Sequence, residues 1–355
     1  MSQETGEWLN TLVLVGFTDK RGNAWHHDLA LQNGRPNHYP LAIPVGDVLE
    51  RLFNFEVFSE KLYVNRAKDV ARFADDEGYF VEVPDRQAMV AGPGAPFPDE
   101  VFGIFKDGYQ GHAYSEWLLD NAERIMGDGL DIGSAGLLRK GAQAWVQYEL
   151  DESRNVLGVS FRPYLLAYTS YDGSLATGYK LGAKVAVCDN TFEIARSDKD
   201  GNSFKLKHTR NSGSKVLEAR EALGVLFEAG DSMEAEITRL IETEVTRAQF
   251  NALVDRMVPL PSKDGTGKVP EGRSLTIAVN KRDALQGLYA NDNRVAPWAG
   301  TAWGALQAFN TFGHHVATVK GASRSQRIRS NAIDGSQAKA DAEVLAALEG
   351  VLVTV

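Results

Sequence analysis

The chain has 355 residues, of which 43% are hydrophobic and 24% charged, with 34 Gly, 12 Pro and a formal net charge of -9. That composition belongs to a folded globular protein and excludes an intrinsically disordered, collagen-like or linker-like chain. A single cysteine, Cys188, excludes an internal disulfide framework and a cysteine-based zinc ribbon.

Residues 1–10 lack the basic start and apolar stretch of a signal peptide, and no run of about 18 apolar residues occurs, so a cytoplasmic protein without membrane insertion is expected. The charge is uneven. Residues 1–150 carry 13 Lys and Arg against 23 Asp and Glu, which leaves 25 against 24 in residues 151–355. Neutralisation of phosphates by Lys and Arg supplies most non-specific nucleic-acid affinity. The acidic whole therefore argues against a polyanion partner, while local basic patches in the second part could still bind one.

In chain order, residues 11–17, 57–64 and 79–83 read as strands, and a Pro/Gly loop at 91–98 falls near the end of an irregular, β-rich N-terminal region spanning 1–110. Residues 102–105 read as a short strand. Tyr114, Trp117, Leu118, Ala122 and Ile125 have helical spacing before Gly127 and Gly129. Residues 132–138, 142–150, 159–169 and 175–187 are β-rich runs whose short gaps forbid a parallel crossover, so they predict an antiparallel meander in a central region, 111–230. Val146, Tyr148 and Leu150 alternate with Gln147 and Glu149, which predicts one buried and one open face. A short helix is expected to start near Asn190, capped by Asp189, Asn190 or Thr191. The remaining region, 231–355, reads as helical. Residues 231–234 and 246–249 match the capping-box pattern, Met233, Ile237, Leu240, Ile241 and Val245 form an apolar stripe, and 275–289, 301–318 and 336–352 are further helices. The expected fold class is α+β: a central antiparallel β-meander with a C-terminal helical portion.

Three features could carry chemistry. The helix start at Asn190 and Thr191 would offer free N–H groups to an anion; its bland reading is a plain cap beside a buried Cys188. The segment 204–210 alternates as a strand with Lys205 and Lys207 on one face, and Arg210, Lys215 and Arg220 continue its charge; the bland reading is an edge strand guarded by lysines. Lys320, Arg324, Arg327 and Arg329 form a basic stretch without acids or apolar periodicity, expected to be a loop that orders on an anion or a solvated linker. The pairs His26–His27 and His314–His315 are poorly spaced to chelate one metal, so no metal and no cofactor are expected.

The run from Ala135 and Gly136 through Gly141 and Trp145, then Tyr171, Asp172, Gly173 and Ser174, then Val187, Cys188, Asn190, Thr191 and Ala195, resembles the phage/plasmid-like family of domain-of-unknown-function proteins. His208 and Thr209 before Arg210, Gly300, Thr301 and Trp303, and Trp25 with His26 extend the resemblance over most of the chain. It implies a bacteriophage, plasmid or mobile-element setting and brings no reaction and no catalytic residues with it. In outline, a meander followed by helices with adjacent basic residues is also similar to the annealing core of single-strand annealing recombinases such as RecT and Redβ. That outline implies rings or filaments holding one strand in a basic groove.

The expectation is a non-enzymatic, homo-oligomeric protein binding single-stranded DNA through Lys205, Lys207, His208, Arg210, Lys215, Arg220, Arg324, Arg327 and Arg329. Two alternatives stand beside it. One is an enzyme acting on a nucleotide or phosphorylated substrate at the 188–191 helix start with His208 as general base. The other is a phage structural or host-interaction protein.

Overall fold

A computed structural model describes residues 11–21, 27–32, 34–66, 79–126, 131–149, 154–185, 191–192, 203–206, 208, 226–261, 272–320, 324, 327, 331 and 336–353. The chain forms two compact units. The first comprises 1–149, 165–180 and 201–225, and the second 150–164, 181–200 and 226–355.

The first unit holds two antiparallel sheets. The smaller has the order β2 (Val57–Arg66), β3 (Tyr79–Ala91), β4 (Val101–Lys106). The larger runs from β1 (Val13–Val15) through β5 (Asp131–Leu138), β6 (Gln143–Glu149) and β8 (Val159–Ser170) to β9 (Thr177–Val185), with β11 (Ser203–Leu206) paired to β9. Strands β8 and β9 each supply residues to both units. The expected meander is present as β5, β6, β8 and β9. Its tight β5–β6 connection uses left-handed backbone at Lys140 (φ 58°) and Gly141 (φ 95°). Gly136 lies opposite Trp145 in the register, and a Cβ there would overlap the indole ring.

Three particulars differ from the sequence reading. Strand β3 continues past Val83, because Pro84 and Asp85 (φ 59°) fall where the β2–β3 register shifts, a bulge that needs no N–H from the proline. β6 is not open on its polar face: Gln143 and Glu149 are buried, and Gln147 donates to Glu149 Oε1 at 2.7 Å. The expected helix beginning near Asn190 is replaced at Thr191 and Phe192 by β10, which pairs with Lys184 and Ala183 of β9. A β-branched and an aromatic residue beside an available strand edge favour pairing over capping. Cys188, Asp189 and Asn190 lie outside the described residues.

One layer of the first unit is a turn at Glu116–Asp120 leading into α1 (Asn121–Met126). The turn is a wide, π-type one, and the sheet serves its carbonyls: Tyr179 Oη donates to Trp117 O at 2.6 Å and Tyr148 Oη to Leu118 O at 2.7 Å. Burial pushes both phenols well above their ordinary range.

The second unit is mainly helical: α2 (Leu226–Glu242), α3 (Arg247–Met257), α4 (Arg273–Asn291), α5 (Ala302–Thr311) and α6 (Ser336–Leu352). Its core joins Ile237, Phe250, Leu285, Trp303, Leu306 and Leu348 to Val159 and Phe161 of β8 and Val156 of β7 (Arg154–Val156). Thr246 and Gln249 form the expected capping box at α3. The 231–234 match does not cap anything, because α2 has already begun at Leu226. Thr301 caps α5 by accepting from Gly304 N at 3.1 Å, and Gly304 is required because a Cβ would overlap the Trp298 carbonyl.

Candidate nucleic-acid interface and the ring column beneath it

Of the expected phosphate contacts in the first unit, Lys205 falls in β11, opposite Gly178 of β9, with Ser203 opposite Lys180. Of the segment 204–210 that alternation marked as a strand, Phe204 to Leu206 belong to a strand, β11, on the outer side of β9. Lys207, Arg210, Lys215 and Arg220 lie outside the described residues.

His208 has a position that the sequence did not indicate. It is buried at 9% exposure and stacked inside a column of five nearly parallel rings. Phe105 and Tyr109 stack at 3.9 Å between centroids and 8°, Tyr109 and His208 at 5.2 Å and 8°, His208 and His112 at 4.2 Å and 11°, and His112 and Trp117 at 3.8 Å and 7°. Four of the rings come from the end of β4, the loop after it and the turn before α1, the fifth, His208, lies two residues beyond β11, and the column is anchored along its length. Gln87 Nε2 donates to Tyr109 O at 2.7 Å, Tyr109 Oη donates to Ser170 O at 3.3 Å, and Phe105 packs on Gly173, where a Cβ would crowd the ring. Gly173 (φ 68°) belongs to a turn fixed by Asp172, whose Oδ1 accepts from Ser174 N at 2.9 Å and whose Oδ2 faces Arg139 Nη1 at 3.2 Å.

Of the four imidazole nitrogens, His112 Nδ1 alone bonds a side chain among the described residues. His112 Nδ1 bonds Thr177 Oγ1 at 2.5 Å, and that hydroxyl also bonds Thr169 Oγ1 at 2.6 Å. His112 Nε2 and both nitrogens of His208 are sealed without a hydrogen bond. Burial, and secondarily the neighbouring His208, pull the His112 pKa down to about 3. Burial also lowers His208, partly opposed by the main chain at Gln110 and Leu175 and by Asp172. Both imidazoles are therefore neutral at pH 7. Parallel rings cannot aim two in-plane lone pairs at one ion, so the pair is not a chelate. Among the described residues no group of three or more His, Cys, Asp or Glu could hold a metal. A nitrogen closed off from solvent also cannot take a proton from a substrate, so His208 in this position is neither a phosphate contact nor a general base.

In the second unit, Arg324 and Arg327 have helical backbone, where a loop was expected. Arg324 Nη1 donates to His314 O at 3.0 Å, supplying a cation to the carbonyl end of the turn at Phe312–Val316. That contact stabilises local helical structure, which apolar periodicity could not reveal. Arg327 is exposed, and its Nη2 lies 3.5 Å from Lys320 O. Arg329 is outside the described residues. Of the histidine pairs, His27 packs instead against His38 at 4.0 Å and 64°, in a cluster where Gln32 Nε2 reaches both His27 Nδ1 and Asn37 Oδ1.

The fold and these surfaces define an α+β protein built on an antiparallel meander with a helical C-terminal portion. The model of the family described as a domain of unknown function (DUF932) matches residues 101–342, well over half of the chain, and the protein belongs to that family. The match covers the meander, the whole ring column and the helices up to the first part of α6. No curated protein and no solved structure matches. No helix among the described residues is long and apolar enough to cross a membrane.

Proposed function

We propose that this is a nucleic-acid-binding protein of a phage or plasmid that holds single-stranded DNA by phosphate neutralisation and assembles as a homo-oligomer, in the manner of an annealing protein. The observation that carries the reading is the strand β11: a basic segment in extended form on the outer side of β9, with Lys205 set beside Gly178 and near Lys180 in the register. A row of cations along an extended strand can follow a phosphate backbone without reading bases. Lys207, Arg210, Lys215 and Arg220 belong to the same proposed track, with Arg324, Arg327 and Arg329 as the second basic stretch. His208 serves the track from beneath rather than by contact.

The homo-oligomer part draws on the smaller sheet. Phe58, Val90 and Val101 lie in one row across its three strands and Ile104 lies two registers along, opposite Ala88, with Phe58, Val101 and Ile104 41–54% exposed. Adjacent apolar residues left open in this way are costly for an isolated molecule and are covered when a second copy packs on them. Fluorescence anisotropy with a labelled single-stranded oligonucleotide tests the binding. With four phosphates neutralised, affinity falls about 50-fold between 50 and 200 mM salt. No binding at the lower salt, or binding indifferent to salt, removes the proposal.

A further inference from the structure

The ring column lies where the basic strand is fastened to the first unit. Leu206, the last residue of β11, pairs with Thr177 of β9. Thr177 is the residue whose hydroxyl holds His112. Two positions beyond the strand, His208 slots between His112 and Tyr109. β11 has four residues and pairs with β9 alone among the described strands. A pairing that short is weak by itself, so the docked imidazole is a second fastening for the same segment.

The slot accepts the two imidazoles only in their neutral form. A proton added at His112 Nε2 creates a buried donor with no hydrogen-bond partner, and at His208 the main chain at Gln110 and Leu175 favours the proton but is outweighed by burial. Either proton also places a charge 4.2 Å from the companion ring, which repels a second proton. The groups facing the pair offset this in part, and only at His208. Phe105 and Trp117 are apolar, Tyr109 is a neutral phenol, and Thr177 is already shared with Thr169. Asp172 is the carboxylate that favours a charged His208, and it is engaged by Arg139 and Ser174. The main chain at Gln110 and Leu175 completes the surroundings.

We infer that the stacked His112–His208 pair is a proton-operated latch on the basic strand: protonation drives His208 out of the column and undocks β11 from β9. The consequence for DNA rests on the reading of β11 given above; the latch itself does not.

Hydrogen exchange on the full-length protein without DNA, between pH 7.5 and 5.0 and corrected for intrinsic exchange, tests the latch independently of that reading. An imidazole in an open, solvated state titrates near 6.5. At pH 5.0 the open state therefore gains about 30-fold for each histidine still neutral in the closed state. The peptide containing β11 and His208 should lose protection over this range by more than β5 and β6 lose theirs. The double variant His112→Phe/His208→Phe keeps flat stacking rings without a titrating nitrogen and should hold β11 protected at both pH values. His208→Gln, which stacks poorly and does not titrate, should leave β11 equally open at both. Unchanged β11 protection in the unsubstituted protein overturns the latch, as does acid opening that persists in the double-phenylalanine variant, or loss of protection in β5 and β6 equal to that in β11. Should the variants fail to fold, imidazole NMR of the unsubstituted protein decides: ordinary titration of both histidines near 6.5 overturns the latch, and depressed titration coinciding with β11 opening supports it.

Discussion

Replacing Thr177 by valine removes one hydroxyl from the strand that carries the ring column. Thr177 is fully buried, and its Oγ1 is the shared partner of His112 Nδ1 and Thr169 Oγ1. Valine keeps the β-branched shape and the strand propensity, so the change isolates the polar contact. It leaves His112 with no partner at either nitrogen and takes the same partner from Thr169. An orphaned buried polar group costs about 1–3 kcal/mol, so the variant should lose about 2–4 kcal/mol. Urea unfolding followed by exchange of the β9 amides measures this as a lower midpoint at constant slope. In a His112→Phe background one of the two orphans no longer exists, and the same substitution should cost about 1–2 kcal/mol less. A coupling energy within about 0.5 kcal/mol of zero would refute the claim that Thr177 acts through His112.

Acid should destabilise the fold through His112. Its folded pKa of about 3 lies below the ordinary 6.5, so as pH drops through 6.5 the unfolded chain takes up the proton first. Stability is then fully present above pH 6.5 and falls by about 2 kcal/mol by pH 5, a loss that His112→Phe should remove in pH-dependent unfolding. Gly136→Ala forces a Cβ into Trp145 and should cost about 1–3 kcal/mol by denaturation, with partial rescue in a Trp145→Leu background. Thr246→Ala breaks the capping box at α3 and should cost about 1 kcal/mol, while Thr246→Asn should largely retain stability.

The parts of the fold that were legible are those whose cause is local. The meander follows from apolar β-rich runs separated by gaps too short for a crossover, and α3 from the reciprocal bonds of Thr246 and Gln249. Where longer-range structure decided, the residues gave the wrong sign. Thr191 reads as a cap but meets the edge of β9, Glu149 reads as part of an open face but is buried, and Arg324 reads as loop but satisfies a helical carbonyl at His314. The ring column was illegible for the same reason. It joins residues 105–117 to Thr177 and His208, and no spacing rule connects positions so far apart in the chain. The available signal was the density of rings between Phe105 and Trp117, with His208 marked as a DNA contact and a candidate base but not as a stacking ring. The first part of the basic strand was legible because alternation is itself local: Phe204 to Leu206 of the expected 204–210 segment are extended.

Charge reversal along that strand is the most direct measurement. Titration of a labelled single-stranded oligonucleotide at 50 mM salt compares the unsubstituted chain with Lys205→Glu/Lys207→Glu/Arg210→Glu, whose β5–β6 hydrogen-exchange protection certifies that the meander remains folded. The expected result is at least a 100-fold loss of affinity and a shallower salt dependence, since three phosphate contacts each contribute to the slope. Equal affinity and equal salt slope in the two proteins would show that the strand carries no nucleic acid.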